Sequence, residues 1–275
     1  MNNVRKSILL GAGIFLLSSG ANAQILKNIS KKIEKKAEQA VDKVLDNGNP
    51  SAQTSTSRPH QSSSGPFMDI PVMPYDFSAG SQIIFMDDFE EETIGAMASR
   101  WTSNGTGAVT TVDGFEGHWL KLYDKNTYKI KELVRIPENF TLEFDVLTLA
   151  NNQDGLRINF GFDHEKGVGR YNPLGYRNPV NIEASYRFNR FTFTSNEVHP
   201  NKKSEIKANM SYFVNDVMKV KIRVQGDRMS AYIDKYKILD SEMIDPITKK
   251  YFYLAVENKE NRGEVYLGNI KITAL

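Results

Sequence analysis

Five carboxylic acids lie within six residues of the sequence, where residues 87–92 read DDFEEE. Carboxylates at such density can serve catalysis, hold a metal ion or lie in water. Because Asp87 and Asp88 are consecutive in a run that begins as an apolar strand, their side chains point to opposite faces unless the strand bends there. The three glutamates follow that strand, so we expect them in a solvated loop and do not expect the cluster to be catalytic.

A second candidate for chemistry is the segment 169–191, in which tyrosines alternate with arginines. Aromatic faces stack on sugar rings, and guanidinium groups bind hydroxyls, carboxylates or phosphates through paired hydrogen bonds. The segment is therefore a candidate ligand-binding surface. The alternative is a long loop that Tyr and Pro packing holds in place, with its arginines in water. The candidate ligand-binding residues are Arg170, Tyr171, Tyr176, Arg177, Tyr186, Arg187 and Arg190.

Several common catalytic and metal-binding motifs are missing from the sequence. It has no H-x-x-x-H pair for a metal and no G-x-S-x-G for a nucleophilic serine. Gly167-Val168-Gly169 lacks the third glycine of a dinucleotide-binding turn. The chain also has no cysteine, which excludes disulfides and thiolate zinc sites and leaves stability to the hydrophobic core.

From Phe67 onward, apolar and polar residues alternate in short runs, the pattern of half-buried β-strands. The run 140–149, FTLEFDVLTL, places apolar residues at every second position, and the run 220–224, VKIRV, does the same. About a dozen such runs, separated by Gly and Asn, predict an all-β, two-sheet antiparallel jelly-roll sandwich over residues 67–275. Gly268-Asn269 interrupts the alternation of the last run and predicts a β-bulge.

Three segments precede the predicted sandwich. Residues 1–23 combine a basic start, a short apolar stretch and the small residues Ala21-Asn22-Ala23, which is typical of a cleaved signal peptide rather than a transmembrane span. Residues 24–46 repeat apolar side chains at three- and four-residue steps and predict one amphipathic helical arm. Residues 47–66, rich in Ser, Thr, Gly and Pro, predict a flexible linker.

The helical arm has an apolar stripe but no domain of its own. Two interpretations stay open. Either the arm packs loosely on its own protein, or it associates with a second copy of the chain or with an envelope partner.

The charge balance bears on possible partners. The whole chain has 35 Lys and Arg against 33 Asp and Glu, and residues 1–23 contain two of the basic residues and no acidic one. The exported chain is therefore predicted to be electrically balanced. Without net positive charge there is no long-range attraction to nucleic acid, and we do not expect that partner.

The order of the elements resembles a concanavalin A-like lectin or glucanase domain. The resemblance is carried by FMDDFE with Gly95 and Trp101 after it, by FTLEFDV, by the VKIRV hairpin and by the closing GNIKI. With the Lys-, Glu- and Ala-rich arm, the whole set is similar to the N-terminal half of secreted OmpA-family envelope proteins. The peptidoglycan-binding domain of that family would follow the sandwich, whereas this sequence ends at Leu275, so we do not carry wall attachment over.

The resemblance also carries expectations about catalysis. Glucanases of this fold have an E-x-D-x-x-E strand, and retaining glycosidases need two carboxyl groups about 5–5.5 Å apart. Glu143 and Asp145 match the first two acids, and Thr148 replaces the third. The acid–base couple is incomplete, so we expect no enzyme activity and keep a divergent glycoside hydrolase as the third alternative.

Sandwiches of this kind often hold a structural calcium ion near their first and last strands. The resemblance therefore implies Asp87, Asp88 and Asn269 as candidate ligands for Ca²⁺. Calcium takes about six to eight oxygen ligands, so loop carbonyls would have to complete this site.

The sequence as a whole predicts an exported, non-catalytic β-sandwich that binds a polysaccharide or another cell-envelope component. Its expected location is periplasmic, outer-membrane-associated or extracellular. The alternative is a structural or interaction scaffold of the envelope that acts through the helical arm and self-association.

Overall fold

The computed structural model describes the sandwich part of the chain and a short stretch before it. The predicted signal peptide, the helical arm and nearly all of the linker lie outside the described residues. Within the described part, no helix is long and apolar enough to cross a membrane. The described residues are 65–67, 73–151, 155–169, 171, 179–259 and 263–275.

Short strands make up most of these residues, with a 3₁₀ turn over Met210–Phe213. In chain order the strands are β1 Gln82–Asp87, β2 Trp101–Ser103, β3 Gly107–Val112, β4 Phe115–Leu122, β5 Asn126–Ile130, β6 Phe140–Ala150, β7 Leu156–Asp163, β8 Val180–Ser185, β9 Arg190–Ser195, β10 Lys202–Lys207, β11 Asp216–Gln225, β12 Arg228–Ile233, β13 Tyr236–Glu242, β14 Tyr251–Asn258 and β15 Gly263–Ala274.

Antiparallel pairing joins these strands into two sheets. The sheet that we call the front sheet has the order β10-β9-β8-β7-β14-β5-β2. The back sheet has the order β13-β12-β11-β6-β15-β4-β3, and β1 also pairs with β15. Each sheet combines consecutive strands with neighbours from distant parts of the chain, such as β6 beside β15 and β7 beside β14, as in a jelly roll. Over the described residues, the predicted all-β, two-sheet antiparallel sandwich is confirmed.

The inner faces of the two sheets meet in an apolar core. Every second residue of β6 from Phe140 to Val146 is buried, as the alternation predicted. Phe140 packs edge-on against Phe162 of β7, and Phe144 against Phe160, each with ring centroids 5.3 Å apart. Such pairs add about 0.5–1.5 kcal/mol beyond the burial of the rings, so β6 and β7 form the centre of the core.

The described core includes residues at the end of the predicted linker. Phe67 is 4% exposed and its ring packs against Phe191 and Phe213, with centroids 5.9 and 6.2 Å away. The carbonyl of Pro66 accepts a hydrogen bond from the backbone N–H of Asn209 at 2.8 Å. The described structure thus includes Pro66, which the sequence had assigned to the linker.

The β-bulge predicted in the last strand is confirmed. The register of β15 against β6 shifts between Gly268 and Lys271, and Asn269 has a φ of 52°, a conformation that asparagine adopts more readily than most residues. A Cβ atom at Gly268 would lie 2.8 Å from the ring of Trp119. The glycine therefore allows Trp119 to lie against the backbone of β15, where it is buried.

We expect Gly268→Ala to reduce the free energy of unfolding by about 1–3 kcal/mol, because the added methyl group overpacks the contact with Trp119. Urea denaturation followed by tryptophan fluorescence measures this. Gly169→Ala is the matched control, since a Cβ atom at Gly169 has nothing within 4 Å. Equal stability of the two variants would contradict the close contact.

Candidate functional site

The candidate site lies on the outer face of the front sheet. Leu156 and Ile158 of β7 are in the core, so Arg157 and Asn159, which alternate with them, point outward. The same alternation in β5, β8, β9 and β14 gives this face a set of polar side chains. They include Lys129, Arg157, Asn159, Asn181, Glu183, Ser185, Thr192, Thr194, Tyr253 and Glu257.

Arg157 is held between two carboxylates from neighbouring strands. Its Nη1 donates to Oε2 of Glu257 on β14 at 2.9 Å, and its Nε lies 3.5 Å from Oε2 of Glu183 on β8. About a quarter of the Arg157 side chain is exposed, and less of each glutamate. Two ion pairs from opposite sides give this guanidinium a fixed orientation while part of it still faces solvent.

A hydrogen-bonded chain of side chains crosses the middle of the same face. The hydroxyl of Tyr253 on β14 donates to Oδ1 of Asn181 on β8 at 2.5 Å. This bond bridges β7 at Gly161, which pairs with both residues and has no side chain in the way. Nδ2 of Asn181 in turn donates to Oδ1 of Asn159 at 3.2 Å. The three polar side chains are thereby locked together under the surface.

Several buried polar atoms of this face have no hydrogen-bond partner within the protein. They include Nδ2 of Asn159, the hydroxyls of Thr192 and Thr194, and the hydroxyl of Tyr171. Buried polar groups are nearly always paired, so a local group of unpaired ones indicates bound water or ligand. On the described residues, most such atoms belong to this face.

Tyr171, one of the predicted ligand-binding residues, lies near the Arg157 cluster. Burial raises the pKa of its hydroxyl, and the negative charge of Glu257 raises it further, while Arg157 opposes the shift. Tyr171 therefore keeps its proton at any physiological pH and presents an unpaired O–H donor beside the cluster.

A pocket of about 250 Å³ opens beside Arg157, where β7 begins and β8 and β14 end. Two of its walls come from different parts of the chain, because the strands of the sheet supply one and the β8–β9 turn supplies the other. The side chains that line it include Arg157, Ser185, Glu257, Arg187, Phe188 and Lys259.

Phe188 stands at the tip of the β8–β9 turn and is 50% exposed. The guanidinium carbon of Arg187 lies 5.5 Å from the centroid of its ring, and that of Arg190 lies 5.1 Å away. Cations over an aromatic face interact with it favourably by about 0.5–1 kcal/mol at exposed sites. Phe188 is not among the predicted ligand-binding residues, although its position between Arg187 and Arg190 in a turn is a usable indication.

The structure separates the other Tyr and Arg candidates. Arg187 and Arg190 flank Phe188 beside the pocket, whereas Tyr186 is fully buried with its hydroxyl 3.5 Å from Oγ1 of Thr148. Tyr186 continues the inward alternation of β8, so its ring packs in the core and offers no face to a ligand. The remaining candidates, Arg170, Tyr176 and Arg177, lie outside the described residues.

The three candidate calcium ligands do not come together. Asp87 faces inward, 8% exposed, and accepts hydrogen bonds from Nε1 of Trp101 at 2.9 Å and from the N–H of Phe89 at 3.1 Å. Asp88 is exposed and accepts from the N–H of Glu90. Burial raises the pKa of the Asp87 carboxyl, an effect that the bond from Trp101 opposes.

Asn269 lies on the opposite side of the back sheet from Asp87, where its Nδ2 donates to Oδ2 of Asp145 at 2.9 Å. The bulge turns its side chain outward, while Asp87 follows Phe85 toward the core. Within the described part of the chain, no group of three or more His, Cys, Asp or Glu side chains is placed to hold a metal ion. These residues therefore do not fit a shared calcium site.

The carboxylates that matched the glucanase strand are also far from the pocket. Glu143 and Asp145 lie on the outer face of the back sheet, with Nζ of Lys221 3.8 Å from Glu143 and Asn269 bound to Asp145. They are on the opposite sheet from Arg157 and its partners, so they cannot act on a ligand bound there.

Two buried lysines hold the loops of the front sheet through their ammonium groups. Nζ of Lys129 donates to Oδ2 of Asp163 and to the carbonyl of Glu165, both at 2.6 Å, and to that of Gly167 at 3.1 Å. Nζ of Lys250 donates to three carbonyls between residues 245 and 248 at 2.8–3.1 Å. Each ammonium thus uses all three donors, and Lys129 organises the loop that leads toward Tyr171.

No protein-family model and no curated protein matches this chain. Among solved structures, the carbohydrate recognition domain of Emp47p aligns with a TM-score of 0.51 and 10% identity, over 72% of this chain and 98% of that one. The exoplasmic domain of VIP36 in its Ca²⁺- and mannose-bound form aligns with a TM-score of 0.47 and 10% identity, over 64% of this chain and 83% of that one. A legume lectin-like domain from Entamoeba histolytica gives 0.49 and 11%, over 64% and 90%.

The likeness to Emp47p shows that the chain has the concanavalin A-like fold of lectin domains, as the sequence predicted. At this identity it shows the fold alone. The resemblance to OmpA-family envelope proteins finds no match in these comparisons and stays a prediction.

Removing the carboxylate of Asp87 should test its role as a hydrogen-bond acceptor. We expect Asp87→Ala to cost about 1–3 kcal/mol of unfolding free energy, because Trp101 Nε1 and Phe89 N–H lose their acceptor. Asp87→Asn keeps one acceptor oxygen. Because the pKa of Asp87 is raised in the folded protein, the unfolding free energy of the wild type falls as the pH rises from the usual carboxyl range through that pKa. The unfolding free energy of D87N lacks this contribution, so the difference between D87N and the wild type should shift in favour of D87N over the same pH range.

Urea denaturation at several pH values measures both effects. Millimolar calcium should affect the midpoints of the wild type and of D87N equally, because Asp87 is taken up by its hydrogen bonds with Trp101 and Phe89. A calcium-dependent rise in the wild type that D87N lacks would show that Asp87 is a metal ligand instead.

Replacing Lys129 should leave the carboxylate of Asp163 without its ion-pair partner. We expect Lys129→Met to lower the unfolding free energy by about 3–5 kcal/mol, because Asp163 loses its buried partner. The double variant K129M/D163N should recover part of that loss, since no unpaired charge remains. If K129M alone is as stable as the wild type by urea denaturation, the ammonium does not anchor the loop.

Proposed function

We propose that the protein is a non-catalytic carbohydrate-binding module and that the pocket beside Arg157 holds the sugar. The observation that carries the proposal is the make-up of this pocket, with fixed hydrogen-bonding side chains on one wall and an exposed aromatic ring on the other. A sugar ring likewise has a polar part and an apolar part, because its hydroxyls lie around the ring edge and its C–H groups lie on the ring faces.

The polar wall offers both donors and acceptors to sugar hydroxyls. Glu183 and Glu257 hold Arg157 in place, so its remaining N–H groups keep one direction. The carboxylate of Glu257 accepts hydrogen bonds, and the hydroxyl of Ser185 can donate or accept. Because the groups are already ordered, binding would cost little side-chain entropy.

The aromatic wall is Phe188. Half of this side chain is in water, and two guanidinium groups lie over its ring. An exposed ring at a turn beside a polar pocket is the arrangement on which the apolar face of a sugar can stack.

The unpaired buried donors of Asn159 and Tyr171 support the same face. They indicate positions at which ordered water, or hydroxyls of a longer glycan, would complete the hydrogen bonding. The Emp47p domain, a carbohydrate recognition domain of the same fold, is consistent with this proposal, but a fold hosts many functions, so the pocket carries the proposal.

The proposal includes no bond cleavage. Among the described residues, Glu183 and Glu257 are the carboxylates nearest the pocket, and both are ion-paired to Arg157, so we assign them to holding Arg157. Glu143 and Asp145 face away on the back sheet.

We further propose that the module is exported and acts in the cell envelope or outside the cell. This part rests on the sequence pattern of residues 1–23. The arm over residues 24–46 would then mediate self-association or attachment to an envelope partner, and a structural Ca²⁺ stays a proposal without assigned ligands.

A glycan array, followed by calorimetry on the oligosaccharides that bind, tests the function. We expect Phe188→Ala to weaken binding about three- to tenfold through lost stacking. Tyr75→Ala is the matched control, because it removes an exposed aromatic side chain, 46% exposed, beside Lys221 on the back sheet.

No binding to any glycan, by a protein whose circular dichroism shows it folded, would overturn the proposal and favour the scaffold alternative. Equal losses in F188A and Y75A would place the sugar elsewhere. Repeating the titration in EDTA tests calcium, and unchanged affinity is expected because the pocket uses side chains alone.

A further inference from the structure

Among the described residues at the pocket beside Arg157, one arginine has no ion-pair partner. Arg157 is compensated by Glu183 and Glu257, and Nη1 of Arg190 pairs with Glu205 at 3.0 Å. Arg187 makes no ion pair within the described residues, and its guanidinium lies over the ring of Phe188. Among the described arginines around the pocket, Arg187 is therefore the one that is free to bind an anion.

The other charges that the structure describes at the rim do not cancel this excess. Nζ of Lys259 lies 4.0 Å from Glu257, but 65% of the Lys259 side chain is in water, so that pair is weak. Glu257 is already bound to Arg157 at 2.9 Å. The described side chains of the pocket therefore favour a ligand with a negative charge near Arg187.

The position of Arg187 next to Phe188 restricts where this charge sits on the ligand. The two residues are neighbours at the tip of one turn, and the guanidinium lies 5.5 Å from the ring centroid. A sugar stacked on Phe188 would reach Arg187 with a group attached at the edge of its own ring. The carboxylate of a uronic acid is such a group, and its planar pair of oxygens matches the fork of a guanidinium.

The size of the pocket agrees with one sugar unit. Pockets that hold drug-sized ligands usually have about 300–1,000 Å³, and this one has about 250 Å³. A single pyranose with its carboxylate fits this class, while further units of a chain would extend along the outer face of the front sheet.

We propose that the pocket selects an acidic glycan, a polymer of hexuronic acid, through pairing of the sugar carboxylate with Arg187 while the sugar ring stacks on Phe188. This inference rests on the proposed carbohydrate binding and adds the class of sugar to it.

Calorimetric titration of the full chain with matched oligosaccharides tests the inference. The probes are oligogalacturonate, oligoglucuronate and oligomannuronate, each beside its neutral counterpart built from galactose, glucose or mannose, together with a sulfated neutral oligosaccharide. At least one uronate should bind about tenfold or more tightly than its neutral counterpart, and this preference should shrink as salt is added, because an exposed ion pair is screened.

Arg187→Gln should reduce the preference to within about twofold, with circular dichroism unchanged. Phe188→Ala should weaken the uronate and its neutral counterpart by similar factors, because both lose the stacking surface. Arg135→Gln, at an exposed arginine in the loop between β5 and β6, is the control for net charge and should leave the preference intact.

Four outcomes would overturn the inference. If the neutral oligosaccharides bind as tightly as the uronates, the acidic selectivity is wrong while glycan binding stands. If R187Q keeps the preference, the pairing of the carboxylate with Arg187 is wrong. Tighter binding of the sulfated probe would show that a carboxylate is not the recognised group. Failure of every saccharide to bind would overturn the proposed function as well.

Discussion

Successive residues of an extended chain point to opposite faces of a sheet, and both the core and the candidate site of this protein depend on that constraint. In β7, the same eight residues supply Phe160 and Phe162 to the core and Arg157 and Asn159 to the outer face. A register slip of one residue would exchange the two sets. The packing of β6 against β7 therefore secures the binding face as well as the interior.

Ion pairs and the hydrogen bonds of buried ammonium groups hold the side chains and loops of the outer face in position. Arg157 joins β8, β7 and β14 through Glu183 and Glu257, and Lys129 closes the loop after β7. A chain without disulfides has no covalent means of ordering these loops, and buried ammonium groups with all donors used serve instead. Arg187 differs because it is outside this network, which leaves its charge available to a ligand.

Sequence patterns were informative about local geometry and much less so about which residues meet. The alternation in FTLEFDVLTL predicted β6, and Gly268-Asn269 predicted the bulge. The Arg157–Glu257 pair joins residues 100 positions apart, and nothing local marks either residue. Tyr186 was predicted to bind a ligand because it lies in a segment rich in Tyr and Arg. The inward alternation of Val180, Ile182 and Ala184 already indicated that it belongs to the core. Asp87 was predicted to be a calcium ligand because of its charge. Its hydrogen bond with Trp101 could not be predicted, since only the fold brings the two side chains together.

The central claim is that glycans bind the outer face of the front sheet. Nuclear magnetic resonance of ¹⁵N-labelled protein, titrated with an oligosaccharide that binds, tests it most directly. The amide signals of Ser185, Arg187, Phe188 and Glu257 should shift together and saturate at one affinity, while those of Glu143, Asp145 and Lys221 on the back sheet stay in place. Saturable shifts confined to the back sheet, or to the loop after Asp87, would contradict the claim.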